Sequence, residues 1–252
     1  MVAALLLDAV RRWVELAEHD LINAHHTLLL GRERPYDHAP QCAEKYLKLA
    51  RGRCYTPVRT ANGGGMSQSV RFTSADLESF PDDGKRYEII DGELYVSKQP
   101  SWQHQMMCVG ILVPLELWSR ATGAGFANIA PGIIFAEDDD VAPDLVWVSA
   151  DRLATVLSAD GKLHAAPDLI VEVLSPGPAN ARRDRDAKLK LYGRRGVREY
   201  WIVDWQNRQV EVYRRADATL RLAATLLAAE SLDSPLLPGF ALPLGDLFAR
   251  VS

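Results

Sequence analysis

A mixed α/β fold is what this 252-residue sequence predicts, and three observations predict it. Short apolar runs of strand length alternate with stretches of helical periodicity. One run, Leu169–Leu174, is apolar at five of its six positions, as a central strand covered on both faces has to be. Its 48% hydrophobic and 25% charged residues are ordinary globular usage, and the length allows a sizeable core without disulfide or metal staples.

The elements follow in order. Trp13, Ala17, Leu21, Ala24 and Leu28 recur at helical spacing; after a break at 31–35, Ala43, Leu47, Ala50 and Cys54 recur in a second helix. Residues 1–58 therefore read as a helical hairpin, too small to fold alone. Residues 59–69 read as a linker, because Gly63, Gly64 and Gly65 lose too much entropy on ordering to sit inside a helix or strand. The larger unit, 70–252, opens with RYEIIDGELYV (86–96), where Asp91-Gly92 suits a type I′ hairpin turn. A helix is expected over 104–121, kinked or split by Pro114. Strands are expected over 132–136, 144–148 and 169–174. A helix over 182–194 should stop at Gly196. Strands over 199–204 and 209–214 complete the pattern.

Composition excludes several function classes. Lys plus Arg (29) against Asp plus Glu (33) gives −4, so no global positive field recruits nucleic acid, and a polyanion would need a local patch or a bound cation. No stretch approaches the ~18 apolar residues of a membrane span, and no membrane partner is expected. The opening residues lack the pattern of a signal peptide. Cys42, Cys54 and Cys108 have no metal-site spacing and read as reduced thiols of a cytoplasmic protein, small hydrophobes rather than nucleophiles. His19, His25 and His26 lack an accompanying acid cluster and are assigned no chemistry.

Three elements carry chemistry. Glu172 interrupts an otherwise apolar strand, where a carboxylate is costly unless it meets a cation, meets a metal or holds a proton. Asp144 opens a second apolar strand; alone it reads as a turn acid, but beside Glu172 it would make an oxygen-ligand site suited to Mg²⁺ or Mn²⁺. On the following helix Asp184, Lys188 and Tyr192 fall at i, i+4 and i+8 and share one face, which in isolation reads as a solvated stripe. Folded back beside the Glu172 strand, Lys188 could reach a phosphate or an attacking water. Arg182, Arg183 and Arg185 would supply local positive charge for nucleic acid.

The order RYEIIDGELYV, PDLVWV, PDLIVEVLSP, RDRDAKLKLY, GVREYWIVD resembles the Uma2 (DUF820) family of restriction-endonuclease type, over about 70–250. The resemblance implies a restriction-endonuclease-like core and the metal-dependent chemistry of the PD-(D/E)xK nucleases. It makes Asp144 the first acid and Glu172 the second, with the backbone carbonyl of Val173 as a further metal ligand. Leu174 stands where the superfamily lysine is expected, and the resemblance moves that role to Lys188. Glu88 and His104 fall on positions the family tends to share and would line the cleft, with Asp184 and Tyr192 as further candidates. Residues 1–58 are fainter in their resemblance to the first two helices of a HEPN domain, AEHDLINAHHTLLL followed by PQCAEKYLK.

The leading expectation is a Mg²⁺-dependent endonuclease acting on DNA, working as a homodimer. Two alternatives stand beside it: a catalytically inactive nuclease-fold module that binds nucleic acid or regulates, and a HEPN-type toxin or partner-binding element in residues 1–58.

Overall fold

A computed structural model describes residues 71–251, which belong to the unit spanning Gln68–Ser252. The expected hairpin 1–58 and linker 59–69 lie outside the described residues.

The hairpin forms as its turn chemistry dictates. β1 (Arg86–Ile90) pairs antiparallel with β2 (Glu93–Ser97), Ile90 opposite Glu93, leaving Asp91 and Gly92 as a two-residue loop. Both turn residues have positive φ, 51° and 73°, the backbone a type I′ turn requires. A short helix, α1 (Ser74–Leu77), precedes this pair, and α2 (Trp102–Thr122) follows it. α2 is one uninterrupted helix despite Pro114, so the expected split does not occur. Ser101 caps its start through His104 N–H, and Gly123, at φ 68°, ends it.

β3 (Gly125–Ile129), β4 (Ile133–Ala136), β5 (Asp139–Val141) and β6 (Leu145–Ser149) come next, then a one-turn helix, α3 (Leu153–Val156). β7 (Leu169–Val173) leads into a helical crossover: α4 (Pro178–Arg182), a π-helical segment (Arg183–Lys188) and α5 (Leu189–Arg195), closed by Gly196 at φ 99°. β8 (Glu199–Asp204), β9 (Gln209–Ala216) and β10 (Thr219–Leu227) follow, then β11 (Ser231–Asp233), β12 (Ala241–Pro243) and α6 (Leu244–Ala249).

The main sheet runs β10-β9-β8-β7-β6-β3, with β7 and β8 parallel and its other pairs antiparallel. The expected mixed central sheet is therefore present. A second sheet runs β2-β1-β5-β4. β7 is buried along its whole length, and its side chains alternate between two cores. Leu169, Val171 and Val173 join α2 residues Met107, Ile111 and Leu115 on one face; Ile170 and Leu174 join Leu191 and Tyr192 of α5 on the other. This double cover is why the run is apolar at successive positions. Among the described residues no helix is long and apolar enough to cross a membrane.

Candidate active site

The geometry begins with strand register. Leu145 pairs with Val171 across the antiparallel β6–β7 ladder, so one further step sets Asp144 opposite Glu172. Val173 N–H donates to Asp144 Oδ2 at 2.9 Å, tying the first acid to the strand that carries the second. The crossover returns the chain over these strands, and Lys188 Nζ donates to Glu172 Oε1 at 2.8 Å. Lys188 also meets Glu88 Oε1 at 2.8 Å, and that oxygen accepts Ala142 N–H at 3.0 Å. Tyr192 hydroxyl donates to Glu172 Oε1 at 2.8 Å. Glu88, Asp144, Glu172, Lys188 and Tyr192, distant in sequence, thus meet in one buried network.

The helix that delivers Lys188 departs from the expected α-geometry. Its π-turns place Asp184 and Lys188 on different partners: Asp184 takes Arg183 Nε at 2.8 Å, while Lys188 takes the two glutamates. Asp184, Lys188 and Tyr192 are all fully buried, which corrects the solvated stripe that the spacing suggests in isolation. Leu174 packs in the core beside Leu191 and Tyr192, and its N–H extends the ladder to Val203 carbonyl at 3.0 Å. An amine in that apolar slot would lack a partner, whereas the amine from the helix finds two.

Asp144 is saturated with donors. Its Oδ1 takes Arg86 Nη1 at 3.1 Å, and Oδ2 takes His104 Nε2 at 3.1 Å besides Val173 N–H. Burial would raise its pKa, but the His104 hydrogen bond and charge, the Val173 amide and Lys188 together hold it far below the usual carboxylate range. Burial would also depress His104, yet Asp144 keeps its imidazole raised above the ordinary value. Glu88 is held low because Lys188 and Arg183 outweigh its burial. Glu172 goes the other way. Burial, and then the charges of Asp144, Asp184 and Glu88, prevail over Lys188 and push it up to about 8. Burial lowers Lys188's affinity for its proton, but the two glutamates more than restore it.

Several of these residues could hold a cation. Both contacts of Glu172 fall on Oε1, and among the described residues no donor reaches Oε2. An oxygen of a buried acid that accepts no donor is a position from which a cation could be bound once Glu172 gives up its proton. A second grouping involves His104, Cys108 and Asp144, whose ligand atoms lie within 4.8 Å of one another. The imidazole shows Nε2 to Asp144 and Nδ1 to Cys108 Sγ, 3.7 Å away, so it stands between them. Burial pushes the Cys108 thiol well up, which fits a buried hydrophobe rather than a nucleophile.

A cleft of about 200 Å³ opens at this end of the sheet. Arg86, Lys98, Gln99, His104, Asp144 and Arg183 are among the residues lining it, while Glu88, Glu172 and Lys188 are buried outside that lining. Asp144 is therefore the acid an incoming ligand meets first. Of the arginines expected to grip nucleic acid, Arg185 is engaged by Glu211 at 2.7 Å and Asp204 at 3.1 Å, and Arg183 by Asp184. Arg182 remains exposed. Sequence reasoning missed Arg86, which it read only as the start of a strand, and no local signal in the hairpin singled it out.

Comparisons with known proteins agree with this architecture. The family model for Uma2, described as a putative restriction endonuclease, matches residues 74–245. A solved structure described as a putative nuclease belonging to DUF820, from Anabaena variabilis ATCC 29413, superposes with a TM-score of 0.57 at 17% identity. That match covers 72% of this chain and 99% of the other, and it shows the shared fold. No curated protein matches the chain.

Proposed function

This chain belongs to the Uma2 family, and from that premise we propose that it is an endonuclease that hydrolyses phosphodiester bonds in DNA with Mg²⁺ or Mn²⁺. The observation that carries the proposal is the convergence of Asp144, Glu172 and Lys188 at one end of the central sheet, with Lys188 restoring the amine that Leu174 lacks.

Asp144, Glu172 through Oε2 and the backbone carbonyl of Val173 would hold the cation. When bound, such an ion supplies charge that offsets that of the phosphate and lowers the pKa of a coordinated water. The protein's own groups do the rest. Lys188 holds Glu172 in place and carries positive charge toward the reacting centre. Tyr192 fixes the same carboxylate oxygen, and Arg86 and His104 aim Asp144.

The direct test is cleavage of plasmid DNA with added Mg²⁺ by purified wild type, Asp144→Asn and Glu172→Gln. The wild type is expected to cut, and both variants to fall by a factor of at least 10³ while remaining folded. Glu172→Gln cutting at the wild-type rate would remove the assignment.

One observation favours the second reading, a non-catalytic nucleic-acid-binding module: Asp144 already has three donors, and Glu172 and Lys188 lie outside the cleft lining. That reading requires full DNA affinity in EDTA and no cleavage with any divalent metal. Homodimerisation belongs to the same proposal, supported by an exposed apolar stripe on α2: Trp102, Val109, Val113 and Leu117.

A further inference from the structure

The cations near the cleft are almost all engaged by the protein itself. Arg86 is held by Asp144 and by the Ala142 carbonyl at 2.9 Å. Arg183 is held by Asp184 and donates to the Ser97 hydroxyl, with Glu88 3.8 Å away. Lys85 pairs with Asp83. Lys98 differs: it lines the cleft, it is exposed, and among the described residues no acid or acceptor pairs with it.

Its position adds to that difference. Residues 98–101 link β2 to α2, placing Lys98 beside Gln99 and the capped N-terminus of a 21-residue helix. The positive end of that helix adds to the field of a nearby ammonium. In a chain with a formal net charge of −4, a polyanion is not drawn in by the overall field, so an uncommitted local cation decides where it docks. A paired arginine must first surrender its carboxylate to bind phosphate, whereas a free lysine gives up only water and condensed counterions.

We propose that Lys98 is the phosphate-binding residue at the mouth of the cleft, taking a backbone phosphate of the nucleic acid whose scissile bond lies over Asp144. The proposal rests on the nuclease reading and adds to it the residue that seats the substrate. Lys98 contacts phosphate rather than base edges, so its contribution is the same for every sequence.

The experiment is fluorescence anisotropy of a labelled mixed-sequence DNA duplex against the full-length protein in EDTA, over a series of salt concentrations. Wild type, Lys98→Ala and Arg221→Ala are compared. Arg221 serves as the control because it is exposed on β10, at the far edge of the main sheet, without a partner among the described residues. Lys98→Ala is expected to weaken binding severalfold at low salt and to reduce the log–log salt slope by about 0.9, the loss of one phosphate contact. Arg221→Ala should match wild type. An unchanged slope and affinity in Lys98→Ala, or an equal loss in Arg221→Ala, overturns the proposal while leaving the nuclease reading intact. A wild type that binds no nucleic acid in EDTA, and none with Ca²⁺ or Mg²⁺ either, overturns the nuclease reading, and this proposal with it.

Discussion

Glu172 is the residue on which burial acts most visibly. Its ordinary value of 4.5 is pushed up to about 8 by desolvation and neighbouring acids, so the folded protein retains a proton that the unfolded chain has lost. Between those values the native state binds more protons than the unfolded state, and stability therefore falls as pH rises through the window. Glu172→Gln, which mimics the protonated form, should flatten that fall. Urea unfolding in EDTA at several pH values between about 5 and 8 measures it; a variant with the wild-type pH slope would contradict the mechanism. Lys188 gives a complementary prediction. Lys188→Met leaves Glu88, and above pH ~8 Glu172 as well, buried without their cation. Stability should drop by about 3–5 kcal/mol in alkaline urea unfolding, with a smaller loss at lower pH, where Glu172 holds its proton. The two acids were legible because each stands out of an apolar run. Arg86, by contrast, sits where charged residues commonly sit, at a strand's beginning, and nothing local marks it as the partner of Asp144.

At the scale of the elements, the strand-to-helix-to-strand crossover between β7 and β8 positions the site. A parallel pair needs such a crossover, and this one carries the amine back over the strand bearing Glu172. Its π-helical turns were not legible, because RDRDAKLKLY has the composition of an ordinary α-helix and the wider turn is decided by what Asp184 and Lys188 find to bind. β3 was also unforeseen: GFANI shows neither a clean alternation nor a long apolar run, and it is recruited by pairing along β6. The close approach leaves a signature at Gly125. A Cβ there would stand 2.4 Å from the Val148 carbonyl oxygen and 2.5 Å from the Trp147 ring. Gly125→Ala should force β3 away from β6 and cost about 1–3 kcal/mol, readable as a lowered midpoint in thermal unfolding. An unchanged midpoint would mean that the strand pairing is looser than these distances.

At the scale of the whole molecule, the outer face of α2 remains to be covered. Val109, Val113 and Leu117 are exposed one turn apart, Trp102 extends the stripe, and the adjoining edge strand β3 exposes Phe126 and Ile129. An exposed apolar stripe beside a strand edge left unpaired among the described residues invites association. If the proposed homodimer uses it, the wild type should elute at twice its chain mass and Val113→Glu at the chain mass, both measured by light scattering. A monomeric wild type would rule that assembly out.

Hydrophobic period, turn chemistry and the placement of acids in apolar strands were local properties, so the sequence by itself determined the α/β class, the hairpin, the central strand and the two acids. Which groups face one another was decided only in three dimensions. Leu174 is core, Lys188 reaches Glu172 and Glu88 from a helix, and Arg185 is tied to Glu211 and Asp204 because charges buried on folding must find partners wherever the chain brings them. Pairing of that kind depends on distance in space, which the order of residues along the chain does not encode locally.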